Sequence, residues 1–145
     1  GDLNWNRLIP GTIRSVLRGE APIIRSNGLQ LRDYIYVEDA AAAYLRLAEK
    51  AVVGGLVFGE AFNISANTPR STLEVARQVI EISGKPLVPK VLDEAENEIP
   101  EQYLDSKKIR REIDWIPEFG LEAGLMRTMD WYRNFFQKGS PSENG

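Results

Sequence analysis

The sequence predicts a mixed α/β fold in which a small mixed sheet is flanked by helices. Residues 31–37, LRDYIYV, are rich in β-branched and aromatic side chains and indicate a strand, whereas the alanine-rich residues 40–50 indicate a helix. Elements of these two kinds alternate along the chain. With 145 residues, 43% of them hydrophobic, the chain can bury one modest core. We therefore expect one domain over residues 1–137 and a disordered tail over residues 138–145.

The amino-terminal part predicts one helix followed by a hairpin. Residues 10–18 favour a helix, because a proline is tolerated in the first helical turn and Gly19 is a good helix stop. Residues 22–25, PIIR, predict a short strand. Residues 26–28, SNG, favour a tight turn that reverses the chain direction. We therefore expect this strand to pair with residues 31–37.

The junction between the strand and the alanine-rich helix is the pair of carboxylates Glu38 and Asp39. Negative charge is stabilised at a helix amino terminus by the free N–H groups and by the helix dipole. Four apolar residues of the helix recur at three- and four-residue spacing and predict its buried face. These residues are Ala40, Tyr44, Leu47 and Ala51.

The second half predicts two secure helices. Ser71 and Glu74 form a capping-box pattern, which predicts a helix over residues 72–83 that ends before Gly84. Apolar residues recur at helical spacing over residues 121–137 and predict an amphipathic closing helix.

Shorter elements are expected between these helices. Residues 61–64 and 87–92 favour strands, and Asp105 favours the start of a helix over residues 106–113. Residues 93–101 form an acidic segment; clustered carboxylates can bind a divalent cation, but a solvated loop is the commoner outcome.

The composition restricts the chemistry that the chain can perform. It contains no cysteine and no histidine, which excludes disulfides, Cys/His zinc sites and nucleophilic sites built on a histidine. No run approaches the roughly 18 apolar residues that a membrane span needs. We expect a soluble, cytoplasmic protein without a nucleic-acid or membrane partner. The start at Gly1, without a methionine, favours a piece of a longer chain.

Positive charge near the amino terminus is carried by arginine alone. Residues 1–32 contain five arginines and no lysine against two carboxylates. The planar guanidinium group suits bidentate phosphate recognition. Arg14 and Arg18 are equally compatible with phosphate binding and with a solvated helix face.

Three segments together resemble a known enzyme family. Residues 32–39, RDYIYVED, resemble the R-D-[YFW]-[IV]-[YH]-V-x-D signature of the extended short-chain dehydrogenase/reductases, which include nucleotide-sugar epimerases and dehydratases. Residues 1–11, GDLNWNRLIPG, and 97–104, NEIPEQYL, are similar to the branch of CDP-glucose 4,6-dehydratases. The family also ends with a pattern like residues 120–133. The resemblance covers nearly the whole chain.

The resemblance implies that this chain is the carboxy-terminal, substrate-binding part of a Rossmann-type enzyme. Its residues would bind a nucleotide-diphosphate sugar, with CDP-glucose favoured: phosphates at Arg7 and Arg32, and the base at residues 22–25. The remaining contacts would come from polar side chains in later loops. The full set of implied binding residues is Asn6, Arg7, Leu8, Pro22, Ile23, Ile24, Arg25, Arg32, Asn67, Glu98, Gln102 and Tyr103.

Catalytic residues are not expected in this chain. Tyr103 and Lys107 have the Tyr-x-x-x-Lys spacing of the family's catalytic dyad, which on a helix would bring Lys close enough to lower the Tyr pKa. Asp105 is expected to start the helix after Tyr103, and the family's dyad precedes the first motif here. We therefore interpret the spacing as chance.

The cofactor is also expected to lie elsewhere. No glycine-rich phosphate loop is present, so NAD is expected in a parent enzyme and no cofactor in this chain. The isolated chain is predicted to be inactive. A different nucleotide-sugar epimerase or decarboxylase and a non-catalytic sugar-nucleotide-binding module are the alternatives. Because the family packs the signature helix partly on its cofactor domain, uncovered apolar surface here favours a homo-oligomer.

Overall fold

The computed structural model describes residues 1–55, 59–95 and 98–138. In these residues the fold is mixed α/β, with helices around two small sheets. The helices are α1 (Leu8–Arg18), α2 (Val37–Val52), α3 (Thr72–Ser83), α4 (Lys107–Ile113) and α5 (Leu121–Gln137). The strands are β1 (Ile23–Ile24), β2 (Leu31–Arg32), β3 (Arg70–Ser71), β4 (Lys90–Val91) and β5 (Glu101–Gln102).

Each sheet combines segments that are distant in sequence. β1 pairs in parallel with β4, in the register Ile23 with Lys90 and Ile24 with Val91. β2 lies between an antiparallel β3 and a parallel β5, and Leu31 faces both Ser71 and Glu101. The two sheets are therefore assembled by tertiary packing of the surrounding helices.

The larger core lies between α1, α3 and α5. Its buried side chains interdigitate from the three helices, and partly buried residues such as Trp5 and Tyr34 pack against them. Lys85 adds a polar connection, because its Nζ donates to the carbonyl oxygens of Val16 and Leu17 at 2.7 and 2.9 Å. It thereby supplies a donor to the Leu17 carbonyl and a second donor to the Val16 carbonyl, which already accepts from the Gly19 N–H at 3.0 Å. The buried core residues are Ile13, Val16, Val75, Val79, Ile80, Leu125, Met129 and Tyr132.

A second core packs α2 against α4. Ala43, Ile109 and Trp115 are buried in it. Asp39 lies beside this core with only 3% of its surface exposed. Its two carboxylate oxygens accept hydrogen bonds from the backbone N–H groups of Glu118 and Phe119, at 2.6 and 3.2 Å. The last acidic residue of the signature thus holds the loop that leads into α5.

The predicted helices are found. α3 and α5 have the predicted bounds, and α3 carries the full capping box between Ser71 and Glu74. α1 ends where predicted, at Gly19 with φ 79°, but begins two residues earlier, at Leu8. α4 begins at Lys107 rather than at residue 106, and the Asp105 side chain accepts from the Lys107 N–H at 2.7 Å.

The predicted hairpin is wrong. β1 pairs with β4 in one sheet and β2 pairs with β3 and β5 in another, so no ladder joins β1 to β2. The turn between them is stabilised locally instead: the Ser26 hydroxyl donates to Gln30 Oε1 at 2.8 Å, and Gly28 has φ 82°. Residues 61–64 are not a strand, and β5 begins at Glu101, the last residue of the segment predicted as an acidic loop.

α2 differs from its prediction in start and orientation. It begins at Val37, so the strand predicted over residues 31–37 is limited to β2. Tyr44, predicted to be buried, is 67% exposed, and Leu45 is 65% exposed. The helix is apolar on two faces, and α4 covers only one of them. The exposed face fits the uncovered surface that the sequence predicts, while the oligomeric state itself stays a prediction.

Some predictions lie outside the described residues. The tail was expected over residues 138–145, of which the structure describes only Lys138. Asn97, the first residue of the second segment resembling the CDP-glucose dehydratases, also falls outside the described ranges.

Candidate functional site

A cleft of about 500 Å³ lies between α1 and β1 and is called the α1 cleft here. It brings together seven of the twelve residues that the resemblance implies. Lining residues within the ranges 5–15 and 23–26 form its two main walls, and Thr72 and Glu98 complete the lining. Its lining residues include Trp5, Asn6, Arg7, Leu8, Gly11, Arg14, Ile23, Ile24, Arg25, Thr72 and Glu98.

One wall of the α1 cleft is one face of helix α1. Leu8, Gly11, Thr12 and Ser15 all line it and recur at helical spacing. Gly11 is required for close packing, because a Cβ at this position would lie 2.5 Å from the Trp5 carbonyl oxygen. The segment before the helix is thereby held against the first turn of α1.

The amino end of this wall is electropositive. Arg7 is the N-cap of α1, has no side-chain cap hydrogen bond, and is followed by no acidic residue in the first turn. Its guanidinium group pairs with Asp2 at 2.9 Å on the surface. Arg14 stacks on the Trp5 ring with its Cζ 4.9 Å from the ring centroid. Within the described ranges Arg14 has no carboxylate partner, so its charge is available to a ligand.

The opposite wall is the free edge of β1. Ile24 uses its backbone groups to pair with β4, its carbonyl accepting from the Leu92 N–H at 2.8 Å. In this parallel register the N–H and C=O groups of Ile23 point away from β4. The Ile23 side chain is 59% exposed beside the cleft, whereas Pro22 is buried beneath it. β1 thus offers one donor, one acceptor and an apolar surface.

A second cleft contains the other strand residues of the predicted site. It has a volume of about 270 Å³ and is called the β5 cleft here. Arg32, Gln102 and Tyr103 line it together with Asp33 and Ser65. The Arg32 Nη1 donates to the carbonyl of its neighbour Leu31 at 2.8 Å.

The structure does not bring Arg7 and Arg32 into one cleft. Arg7 lines the α1 cleft, and Arg32 lines the β5 cleft. Arg32 lies on β2, between β3 and β5, whereas Arg7 is the N-cap of α1, and the cleft beside α1 is lined by β1 of the other sheet. The expectation that both guanidinium groups converge on one phosphate pocket is therefore not met.

Asn67 is exposed, takes part in a local hydrogen-bond network, and lines neither the α1 cleft nor the β5 cleft. Its Oδ1 accepts from the Ser106 hydroxyl at 3.0 Å and from the Ser65 hydroxyl at 2.8 Å. Its backbone is left-handed, with φ 58°. A carboxylate oxygen of Asp33 lies within hydrogen-bond distance of the same Ser65 hydroxyl, whose single proton can be donated either to Asp33 or to Asn67. The network joins residues 65–67 to the start of α4.

A third cleft, of about 800 Å³, adjoins the α1 cleft and is called the N-terminal cleft here. It shares Arg7 and Leu8 with the α1 cleft and is lined otherwise by Tyr34, Tyr36 and residues of α5. Burial raises the pKa of Tyr34 to about 12, and the positive charge of Arg32 partly opposes this rise. The Tyr34 phenol is therefore protonated at neutral pH.

Sequence reasoning did not assign seven of the fourteen residues that line the α1 cleft, and two of these, Trp5 and Arg14, form its cation–π pair. Trp5 carries the family resemblance only as part of residues 1–11, and from the sequence Arg14 is equally compatible with phosphate binding and with a solvated helix face. Their stacking could not be read from spacing, because it depends on how the segment before α1 folds back on the helix. The only available signal was the presence of a tryptophan next to Asn6 and Arg7 in the segment that carries the resemblance.

Other kinds of site find little support in the structure. Across residues 1–55, 59–95 and 98–138, no three acidic, histidine or cysteine side chains are grouped closely enough to hold a metal ion. In the same part of the chain, no helix has the length and hydropathy to cross a membrane. Tyr103 precedes α4, so it does not share a helical face with Lys107.

Comparison with known proteins shows what this chain is similar to. Residues 1–65 match the NAD dependent epimerase/dehydratase family. The chain is 29% identical over 141 residues to the dTDP-glucose 4,6-dehydratase of Escherichia coli, covering 88% of this chain and 37% of the relative. It is 31% identical over 140 residues to the enzyme of the same name from Haemophilus influenzae, covering 87% and 39%. The chain thus spans under two fifths of these relatives.

Solved structures agree with this class. UDP-glucose 4-epimerase of Thermotoga maritima, solved with UDP-glucose, superposes with a TM-score of 0.80 at 26% identity, covering 90% of this chain and 40% of that one. dTDP-glucose 4,6-dehydratase of Bacillus anthracis, solved with NAD, gives a TM-score of 0.73 at 27% identity, covering 89% and 39%. The fold is therefore that of the Rossmann-type epimerases and dehydratases. The curated relatives bear the name of the dTDP-glucose enzyme, not of the CDP-glucose branch.

Proposed function

We propose that this chain is the substrate-binding part of an NAD-dependent nucleotide-sugar 4,6-dehydratase, a lyase, and that its α1 cleft holds the nucleotide diphosphate. One observation carries the proposal: the electropositive amino end of α1 and the free edge of β1 face the same cleft. A nucleotide diphosphate needs both surfaces, one for its phosphates and one for its base. A cytoplasmic location is part of the proposal.

The phosphates are assigned to the amino end of α1. The first turn of a helix leaves backbone N–H groups free and carries the positive end of the dipole. In α1 no side-chain cap and no acidic residue of the first turn occupies that end, and Asp2 pairs with the N-cap Arg7 on the surface. Arg7 and Arg14 add two positive charges, of which Arg14 has the firmer position because Trp5 supports its guanidinium plane.

The base is assigned to β1. The outward N–H and C=O groups of Ile23 form a donor–acceptor pair that can match the edge of a pyrimidine. The exposed Ile23 side chain supplies an apolar surface for the ring. Asn6 and Leu8 border the same cleft between base and phosphates.

The sugar is assigned to the side of Arg7 that opens into the N-terminal cleft. Arg7 and Leu8 line both clefts, so a ligand anchored at Arg7 can extend from one into the other. Arg32, Asn67, Gln102 and Tyr103 keep only the support of the family resemblance, because the structure places them around the β5 cleft and its network.

Catalysis is assigned to the rest of a longer protein. The sequence has no Gly-x-Gly-x-x-Gly turn, so the residues of this chain do not fit a dinucleotide phosphate site. NAD would carry the redox chemistry when bound to that other part. This chain would hold the sugar nucleotide, and alone it is expected to be inactive.

A nucleotide-sugar 4-epimerase is the second candidate. The higher TM-score of the Thermotoga maritima epimerase, 0.80 against 0.73 for the dehydratase, favours it. Both candidates bind a sugar nucleotide, so the assignment of the α1 cleft does not depend on the choice between them. We propose CDP-glucose as the ligand, on the resemblance of residues 1–11 and 97–104.

Calorimetric titration of the chain tests the binding function. We expect CDP-glucose to bind measurably and glucose 1-phosphate, which lacks the base and one phosphate, to bind far more weakly. The physical reason is that both the base contacts of β1 and the charge contacts of α1 contribute to the free energy of binding. Equal binding of both compounds, or no heat with CDP-, UDP- and dTDP-glucose alike, would contradict the proposal.

A further inference from the structure

Glu98 is the only acidic residue that lines the α1 cleft in the described part of the chain. The other charged side chains around the cleft are Arg7, Arg14 and Arg25. A cleft that binds an anion is weakened by a carboxylate unless the carboxylate faces a hydrogen-bond donor of the ligand. We therefore expect Glu98 to contact a part of the ligand that donates a hydrogen bond, and not its phosphates.

Glu98 and Arg7 both line the α1 cleft, and each of them also lines a different adjoining cleft. Glu98 lines a small adjoining cleft with Asn27, Gln30 and Pro100, whereas Arg7 lines the N-terminal cleft. These two adjoining clefts have no residue in common. We therefore assign Glu98 to the side of the cleft that holds the base, and Arg7 to the side that holds the phosphates.

Glu94 and Ala95, which precede Glu98 in the sequence, are tied to Arg25, the residue that follows β1. The Arg25 carbonyl accepts from the N–H groups of Glu94 and Ala95 at 2.7 and 3.2 Å. The Glu98 side chain is exposed, and within the described ranges it makes no ion pair. Its two oxygens are available as acceptors.

We propose that Glu98 is a specificity-determining residue that selects a nucleotide whose base carries an exocyclic amino group. The inference rests on the proposed function of the α1 cleft. Cytosine presents an amino donor at C4, where uracil and thymine present a carbonyl acceptor. A carboxylate accepts from the amino group and is repelled by the carbonyl oxygen, so the cleft prefers CDP-sugars to UDP- and dTDP-sugars.

The decisive experiment compares CDP-glucose with UDP-glucose, because their ribose, diphosphate and sugar are identical. Calorimetric titration of the wild-type chain should give a dissociation constant roughly tenfold lower for CDP-glucose. Glu98→Gln should bring the two constants close together, since an amide can either accept from cytosine or donate to uracil. Glu94→Gln is the matched control: it removes the same charge from the same segment outside the cleft lining, and the preference should remain.

Each alternative outcome has a separate meaning. Equal affinities in the wild-type chain, or a preference for CDP-glucose that survives Glu98→Gln, would overturn the role of Glu98 and leave the proposed binding function standing. If Glu94→Gln abolishes the preference as fully as Glu98→Gln, the selection is a general charge effect and the inference fails. Absence of binding by both nucleotide sugars would overturn the proposed function and this inference with it.

Discussion

Asp39→Ala is expected to lower the free energy of unfolding by about 2–4 kcal/mol. The carboxylate is buried and accepts from the backbone N–H groups of Glu118 and Phe119 at 2.6 and 3.2 Å. Alanine would leave both donors without a partner next to the second core. Urea denaturation followed by circular dichroism measures the change.

Two further variants test whether the loss of stability is specific to the Asp39 carboxylate. Asp39→Asn keeps one acceptor oxygen and should cost less than alanine. Glu38→Ala removes the adjacent carboxylate, which is exposed and pairs with Arg127 at 3.2 Å, and should change stability by under about 1 kcal/mol. A loss for Asp39→Ala no larger than that for Glu38→Ala would mean that the loop into α5 does not depend on this carboxylate.

Arg14→Gln is expected to weaken binding of a nucleotide diphosphate by roughly 10- to 100-fold, because a charge-assisted hydrogen bond to phosphate contributes about 1.5–3 kcal/mol. Its guanidinium group is half-buried on Trp5 and faces the α1 cleft. Arg7→Gln should cost less, since Arg7 is exposed and already paired with Asp2. Titration of each variant with CDP measures both changes.

Arg18→Gln is the matched control for the arginine series. Arg18 lies on the same helix, is exposed, and does not line the α1 cleft. Its loss changes the net charge by the same amount and should alter the affinity by less than about twofold. Equal weakening by Arg14→Gln and Arg18→Gln would show a long-range charge effect rather than a phosphate contact.

The helices could be predicted because their signals are local. The capping box of α3 and the closing repeat of α5 lie within the helices they define, and both bounds are correct. The strands could not be predicted equally well. Each has two residues, and its existence depends on a partner far along the chain, as with Ile23 and Lys90. The hairpin prediction failed because turn residues specify a reversal but not the strand that pairs.

Helix α2 shows a second limit of prediction from sequence, which concerns the buried face of a helix. The apolar spacing predicted one buried face that includes Tyr44, but the helix has apolar residues around more than one face. Sequence periodicity cannot tell which of them the remaining chain covers. The covered face centres on Ala43 and the partly buried Leu47. Tyr44 and Leu45 remain exposed.

The candidate site was predicted in part. The resemblance named the residues of the α1 cleft on both walls, and these are brought together from separate segments. It placed Arg7 and Arg32 at one phosphate pocket, whereas they line separate clefts. The stacking of Arg14 on Trp5 depends on tertiary packing, so no local sequence pattern predicts it.

Amide chemical-shift mapping with CDP tests the central claim most directly, because it locates the ligand on the chain. The account predicts that the largest shifts fall on the backbone N–H groups of Leu8, Ile23 and Arg25, with smaller changes around the β5 cleft. Saturable shifts confined to Arg32, Gln102 and Tyr103, with the α1 and β1 amides unchanged, would contradict it.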